Sequence, residues 1–162
     1  MAGKIMSSTP PASAVAAHPM PDQLSLHLGF VLNRAAQELR ETFEKALEPL
    51  AIKPRHYGVL SIIAEAGPLP QHIIGEKLNC DRNTMVSIVD DLEKLGLARR
   101  DVHPEDRRAY AVCLTPSGRR MLEKAQGVAG TVESDFLAPL TAKQQRQLHQ
   151  LLKLLLCRDV PE

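Results

Sequence analysis

Apolar residues at Met85, Ile88, Val89, Leu92 and Leu95 recur at i, i+3, i+4, i+7 and i+10, a spacing that lines one face of a helix and matches no strand. Asp81 stands where a capping carboxylate can accept from first-turn amides, and Gly96 follows the pattern as a C-terminal glycine does. The spacing therefore predicts a helix of about four turns over 82–95. Ahead of it, Ile73, Ile74 and Leu78 give a shorter helix over 71–79, with Asn79-Cys80-Asp81 as the turn between the two. Behind it, Leu97 to Val102 and Ala109 to Leu114 are short runs of strand-forming residues around the turn His103-Pro104-Glu105-Asp106-Arg107-Arg108.

The flanks are helical. From Asp22, a plausible cap, Leu24, Leu28, Val31, Leu32, Ala35, Leu39, Phe43, Ala46, Leu47 and Leu50 form one broad stripe, and Leu26 and Phe30 lie off it as a second apolar flank. Lys53-Pro54 opens the next helix with proline at its first position; Val59, Leu60, Ile62 and Ile63 are its core face, and Gly67 and Pro68-Leu69-Pro70 end it. Thr115-Pro116 starts another, carried by Leu122, Ala125, Val128, Ala129, Val132, Phe136 and Leu140 towards Pro139. Thr141-x-x-Gln144 is a capping box before the leucine-dense run Leu148, Leu151, Leu152, Leu154, Leu155 and Leu156. Both end helices carry more apolar surface than one packing face needs, which marks an interface, most simply with a second subunit.

Two helices and a hairpin in this order read as a winged helix-turn-helix within a mainly α chain, an α+β fold with a small β-hairpin wing and long terminal helices forming a dimerisation region. Residues 1–21, rich in Pro, Ala and Ser without periodicity, are expected as a disordered tail. Residues 22–52 and 116–158 are expected as the dimerisation region and 53–115 as the DNA-binding module. The face of the 82–95 helix opposite its stripe carries Arg82, Asn83, Val86, Ser87, Asp90 and Asp91. Arg can grip guanine and Asn adenine with two hydrogen bonds each, Ser adapts to either, and Val offers a surface to the thymine methyl. Arg107 and Arg108 at the hairpin tip suit a phosphate backbone or a narrow minor groove. Arg99 and Arg100 fall on opposite faces of a strand, so at most one meets DNA and the other is structural.

Composition narrows this little. The 162 residues suit one folding unit with a real core, and the formal net charge of +1 neither demands nor excludes nucleic acid, so any basic surface arises by local clustering. Cys80, Cys113 and Cys157 are odd in number, widely spaced and without a CxxC pair, which argues against disulfides or a zinc site and fits a reducing cytoplasm. No apolar run is long enough to span a membrane, and the N-terminus has no apolar core of the secretory kind. No paired carboxylates, nucleophile with base, or metal-ligand set stands in the placed motifs, so neither an enzyme nor a cofactor is expected.

The chain resembles the MarR family, the multiple-antibiotic-resistance regulators of bacteria. The resemblance rests on Leu78 through Thr84 leading into Val89-Asp90-Asp91-Leu92-Glu93-Lys94-Leu95-Gly96-Leu97, on Asp106-x-Arg108, and on Leu114-Thr115-Pro116-Ser117-Gly118; helix placement extends it over about residues 24–157. It implies that the first and last helices of two subunits interlock and that two recognition helices enter successive major grooves of a near-palindromic site. By the family pattern Arg108 enters the groove and Asp106 shapes the wing. Many members carry a basic residue at the position of Ser87, and often another at Asp91, so this helix offers one arginine where others offer two or three. The resemblance further implies a transcriptional regulator, a repressor released by a small, phenolic ligand. His27, Arg34, Arg55, His56 and Tyr57 are candidates for that effector pocket. Cys80, just before a helix N-terminus, opens a thiol-based redox response as an alternative, although leucine is common there and a small cysteine packs like one. The other alternative is a winged-helix protein-interaction module without DNA binding, favoured by the modest charge and by Asp90 and Asp91.

Overall fold

The computed structural model describes residues 21–102 and 110–156, so the turn 103–109 and Cys157 lie outside the described residues, as does all but the last residue of the expected tail. The elements run α1 (Asp22–Ser25), α2 (Leu28–Leu47), a 3-10 turn (Glu48–Leu50), α3 (Pro54–Ala66), β1 (Leu69–Pro70), α4 (Gln71–Lys77), α5 (Arg82–Lys94), β2 (Ala98–Val102), β3 (Tyr110–Leu114), α6 (Pro116–Leu137) and α7 (Ala142–Leu156). The mainly α chain with one small antiparallel sheet is the winged-helix architecture that the pattern predicts. No described helix is long and apolar enough to cross a membrane.

The chain divides into two compact units at Ala35–Ala36. In the first, the expected continuous helix from Asp22 is broken. Ser25 donates its hydroxyl to the Asp22 carbonyl at 2.6 Å, occupying the acceptor that a continuing helical amide uses, and the next helix starts only at Leu28. Pro21, not Asp22, holds the N-cap position, and Asp22 sits in the first turn. Leu24, Leu26, Leu28, Phe30, Val31 and Leu32 are all exposed.

The second unit contains the core. Leu47 of α2, Val59, Leu60 and Ile63 of α3, Ile74 of α4, Met85, Ile88, Val89 and Leu92 of α5, Val112 of β3 and Leu122 and Ala125 of α6 form one buried cluster. Leu95 departs from expectation. As the C-cap of α5 it lies past the last full turn and is 45% exposed. The wing is a three-stranded antiparallel sheet in the order β1-β3-β2, where two strands are expected: Leu69 and Pro70 pair with Val112 and Ala111. A dipeptide between two prolines gives no strand signal, and its pairing is tolerated because it lies at the sheet edge. β2 pairs with β3 from Ala98↔Leu114 to Val102↔Tyr110.

Two glycines are required where they stand. Gly96 reverses the chain after α5 with φ +68°, a left-handed conformation that other residues rarely adopt. At Gly118 a Cβ would lie 1.9 Å from the Leu97 carbonyl oxygen. Beside it the Thr115 hydroxyl accepts from the Gly118 amide at 2.9 Å and donates to the Gly96 carbonyl at 2.7 Å. The Thr-Pro-Ser-Gly run thus caps α6 and ties its start to the exit of α5, which gives that motif a physical reason. α7 begins on the expected capping box, with the Thr141 amide donating to Gln144 Oε1 at 2.9 Å.

Candidate nucleic-acid interface

The turn between α4 and α5 is built from local hydrogen bonds. Asn79 adopts φ +47°, which asparagine tolerates better than most residues, and the Cys80 amide donates to the Gly75 carbonyl at 2.9 Å. Asp81 then caps α5 by accepting from the Thr84 amide at 3.0 Å. Its carboxyl is held below the usual carboxylate range first by the hydrogen bond from the Thr84 hydroxyl and then by that amide.

With the apolar stripe of α5 buried, the opposite side is left to solvent: Arg82, Asn83, Val86 and Ser87 are all exposed along its first two turns. Arg82 and Val86 line an open groove of about 1170 Å³ together with His72, Glu76 and Asn79 from the α4 side and Tyr110 from β3. His72, Asn79 and Tyr110 are not among the residues singled out from the sequence. Only their adjacency to the turn and to the arginine-rich hairpin points to them, since none lies on a periodic face.

The acidic residues of α5 are engaged. Asp91 pairs with Lys94 at 3.4 Å. Asp90 pairs with Arg100 at 2.7 Å, and Arg100 also pairs with Glu93 and donates to Gln71 Oε1 at 3.1 Å. Of the two arginines of β2, Arg100 is therefore the structural one. Arg99 stays exposed, its Nε donating to Asp101 Oδ2 at 2.7 Å.

The MarR family model matches residues 52–110, from the start of α3 to the start of β3. A Thauera aromatica protein assigned to transcriptional regulation of the hcr operon is 31% identical over 150 residues, covering 92% of this chain and 90% of its own. The chain belongs to the MarR family. That family is one of transcriptional regulators, not enzymes. Among other relatives, the Mycobacterium tuberculosis HTH-type transcriptional repressor Rv2887 is 27% identical over 79% of this MarR-family chain and 92% of its own. The structure of that protein in complex with salicylic acid superposes with a TM-score of 0.67 at 26% identity, over 80% of this chain and 96% of the other. A C80S mutant of Escherichia coli MarR complexed with operator DNA superposes with a TM-score of 0.73 at 26% identity, over 80% and 93%.

The effector candidates of this MarR-family chain fall in different places. His27 and Arg34 belong to the first unit and are exposed; Arg55, His56 and Tyr57 belong to the second. His56 is not free to line a pocket with its ring. It is 6% exposed, and its Nδ1 accepts from the Lys53 amide at 3.1 Å, closing the cap of α3. Burial pushes its pKa down, against the raising influence of Asp91. Tyr57 stacks edge-on against Phe43 at 5.4 Å, and Arg55 extends towards Cys80, its Nη1 3.9 Å from the sulfur. Cys80 is half-buried against the core, as a packing residue is. Cys113 is half-buried on β3, where desolvation first and Asp101 second push its thiol up, away from the reactive thiolate. Asp106, Arg107 and Arg108 lie outside the described residues.

Proposed function

We infer that this chain is a homodimeric repressor that reads a near-palindromic operator with α5 in the major groove and lets go when a small, phenolic ligand binds. The observation that carries this reading is the row Arg82, Asn83, Val86 and Ser87: base-reading side chains, all exposed, on the one face of a helix whose other face is sealed in the core. Arg107 and Arg108 at the wing tip would hold phosphates or enter the minor groove, with Asp106 shaping the turn. Residues 53–115 would then be the DNA-binding module, and 22–52 with 116–158 the dimerisation region.

Exposed apolar surface supports the pairing. Leu148, Leu151, Leu154, Leu155 and Leu156 of α7 are all exposed, and a groove of about 490 Å³ between α6 and α7 is lined by Phe136, Leu137, Leu148 and Leu152. A second copy is the simplest cover for such a surface. Two-fold symmetry would set half-sites about 34 to 36 Å apart, one turn of DNA. The operator complex of the similar MarR protein and the salicylic acid complex of the similar repressor support the DNA and ligand parts.

Selection of bound duplexes from a random pool, repeated with salicylate, tests the reading. An inverted-repeat site whose binding weakens steeply with salt and with the ligand is expected. A chain that sediments as a monomer at micromolar concentration and enriches no duplex would instead favour the protein-interaction module.

A further inference from the structure

Asp90 stands four residues after Val86 and three after Ser87, so it belongs to the same stripe of α5 as the side chains read here as base contacts. A free carboxylate there would face the phosphates that flank any groove this helix enters. It is not free: Arg100 Nη2 lies 2.7 Å from Asp90 Oδ1, with the arginine side chain 27% and the aspartate 45% exposed. The same guanidinium pairs through Nη1 with Glu93 Oε2 and donates through Nη2 to Gln71 Oε1 at 3.1 Å, while the Arg100 amide donates to Glu93 Oε1 at 2.7 Å. One side chain of the wing strand therefore holds two carboxylates one turn apart on the reading helix and the first residue of the helix before it. Arg100 is spent on this cluster and has no evident reach for DNA, yet the cluster lies beside the reading face.

We propose that Arg100 is a positioning residue for DNA recognition: it masks the charge of Asp90 on the reading face and locks the wing root to α5 and to the start of α4, so that helix and wing are presented at a fixed angle. The inference rests on the operator reading given above and deepens it. Planar, forked donors suit this task, since a lysine at the same place could not serve Asp90, Glu93 and Gln71 together. In a dimer the masking operates at both half-sites.

The test compares wild type, Arg100→Met, Asp90→Asn and the double variant on a selected duplex at several salt concentrations, with folding checked by thermal melting. Arg100→Met keeps the apolar stem but unmasks Asp90 and Glu93, and affinity is expected to fall by about tenfold at low salt and by less at high salt, because unscreened repulsion is the cause. Adding Asp90→Asn to Arg100→Met is expected to recover at least about a third of the lost logarithm of affinity without recovering thermal stability. A purely structural arginine would give a loss that tracks melting, is the same at every salt concentration and is not relieved by Asp90→Asn; that pattern, or unchanged binding in a folded Arg100→Met, overturns the proposal. If the four variants do not fold alike, Arg100→Lys decides: binding at wild-type strength in a folded Arg100→Lys also overturns it. Wild type that enriches no duplex removes the operator reading and this inference together, whereas wild type that binds beside an equally tight Arg100→Met removes the inference alone.

Discussion

α5 and α7 are amphipathic helices of similar length with opposite fates. α5 buries Met85, Ile88, Val89 and Leu92 inside its own chain, whereas α7, with six leucines, buries none of its residues. The difference lies in what surrounds them. α5 is wrapped by α3, α4 and β2, while one side of α7 meets only the groove along α6. An apolar stripe predicts that a helix packs, but not against which molecule. The winged module is thus complete within one chain, and the C-terminal helix presents surface that a second copy would complete.

The largest expected effects test that contrast directly. Leu92→Ala should cost about 2 to 5 kcal/mol of folding stability, as buried leucine truncations do, with a urea midpoint that does not depend on protein concentration. Leu155→Glu should leave the winged module folded but cost about 2 to 4 kcal/mol of association, seen as a sedimentation shift to monomer. Equal effects of Leu155→Glu on the monomer's own melting would mean that α7 is sealed within the chain after all.

Next in size are the side chains that meet DNA. Arg82→Ala should cost about 1 to 3 kcal/mol on the selected site and relax preference at one position of each half-site, while Arg108→Ala should weaken binding to all sequences and flatten the salt slope by about one unit for each phosphate no longer held. Binding isotherms on selected and scrambled duplexes distinguish reading from holding.

A smaller effect concerns the cap of α3. Burial holds the His56 pKa below its ordinary 6.5, so the unfolded chain takes up the proton more readily than the folded one. The stability that neutral His56 supports is therefore present above 6.5 and lost as pH falls from there through the lower folded value. The urea midpoint should drop between about pH 7.5 and about pH 5, and His56→Gln should flatten that part of the drop. The smallest effect is a gain. Ala51 sits at φ +54° at the end of the 3-10 turn, and Ala51→Gly should stabilise by about 0.5 to 1 kcal/mol in thermal melts by relieving a left-handed alanine.

Much of the molecule is written locally. The caps at Asp81, Thr115 and Thr141, the proline start of α3 and the turn at Gly96 are contacts within a few residues, so their side chains announce them. The stripe of α5 and the exposed row Arg82, Asn83, Val86 and Ser87 follow from helical periodicity once the helix is granted. What escaped the sequence depends on distant partners. β1 exists only because β3 offers it an edge, the break at Leu26 and His27 turns on a single hydroxyl, and the ring of His56 is a cap, not a pocket wall. Asp90 shows the same division most clearly: its place on the reading face is a matter of spacing along the helix, but its charge is cancelled by Arg100, ten residues away on another element. Periodicity determines which way a side chain points; only the packing of helix against strand decides what it meets there.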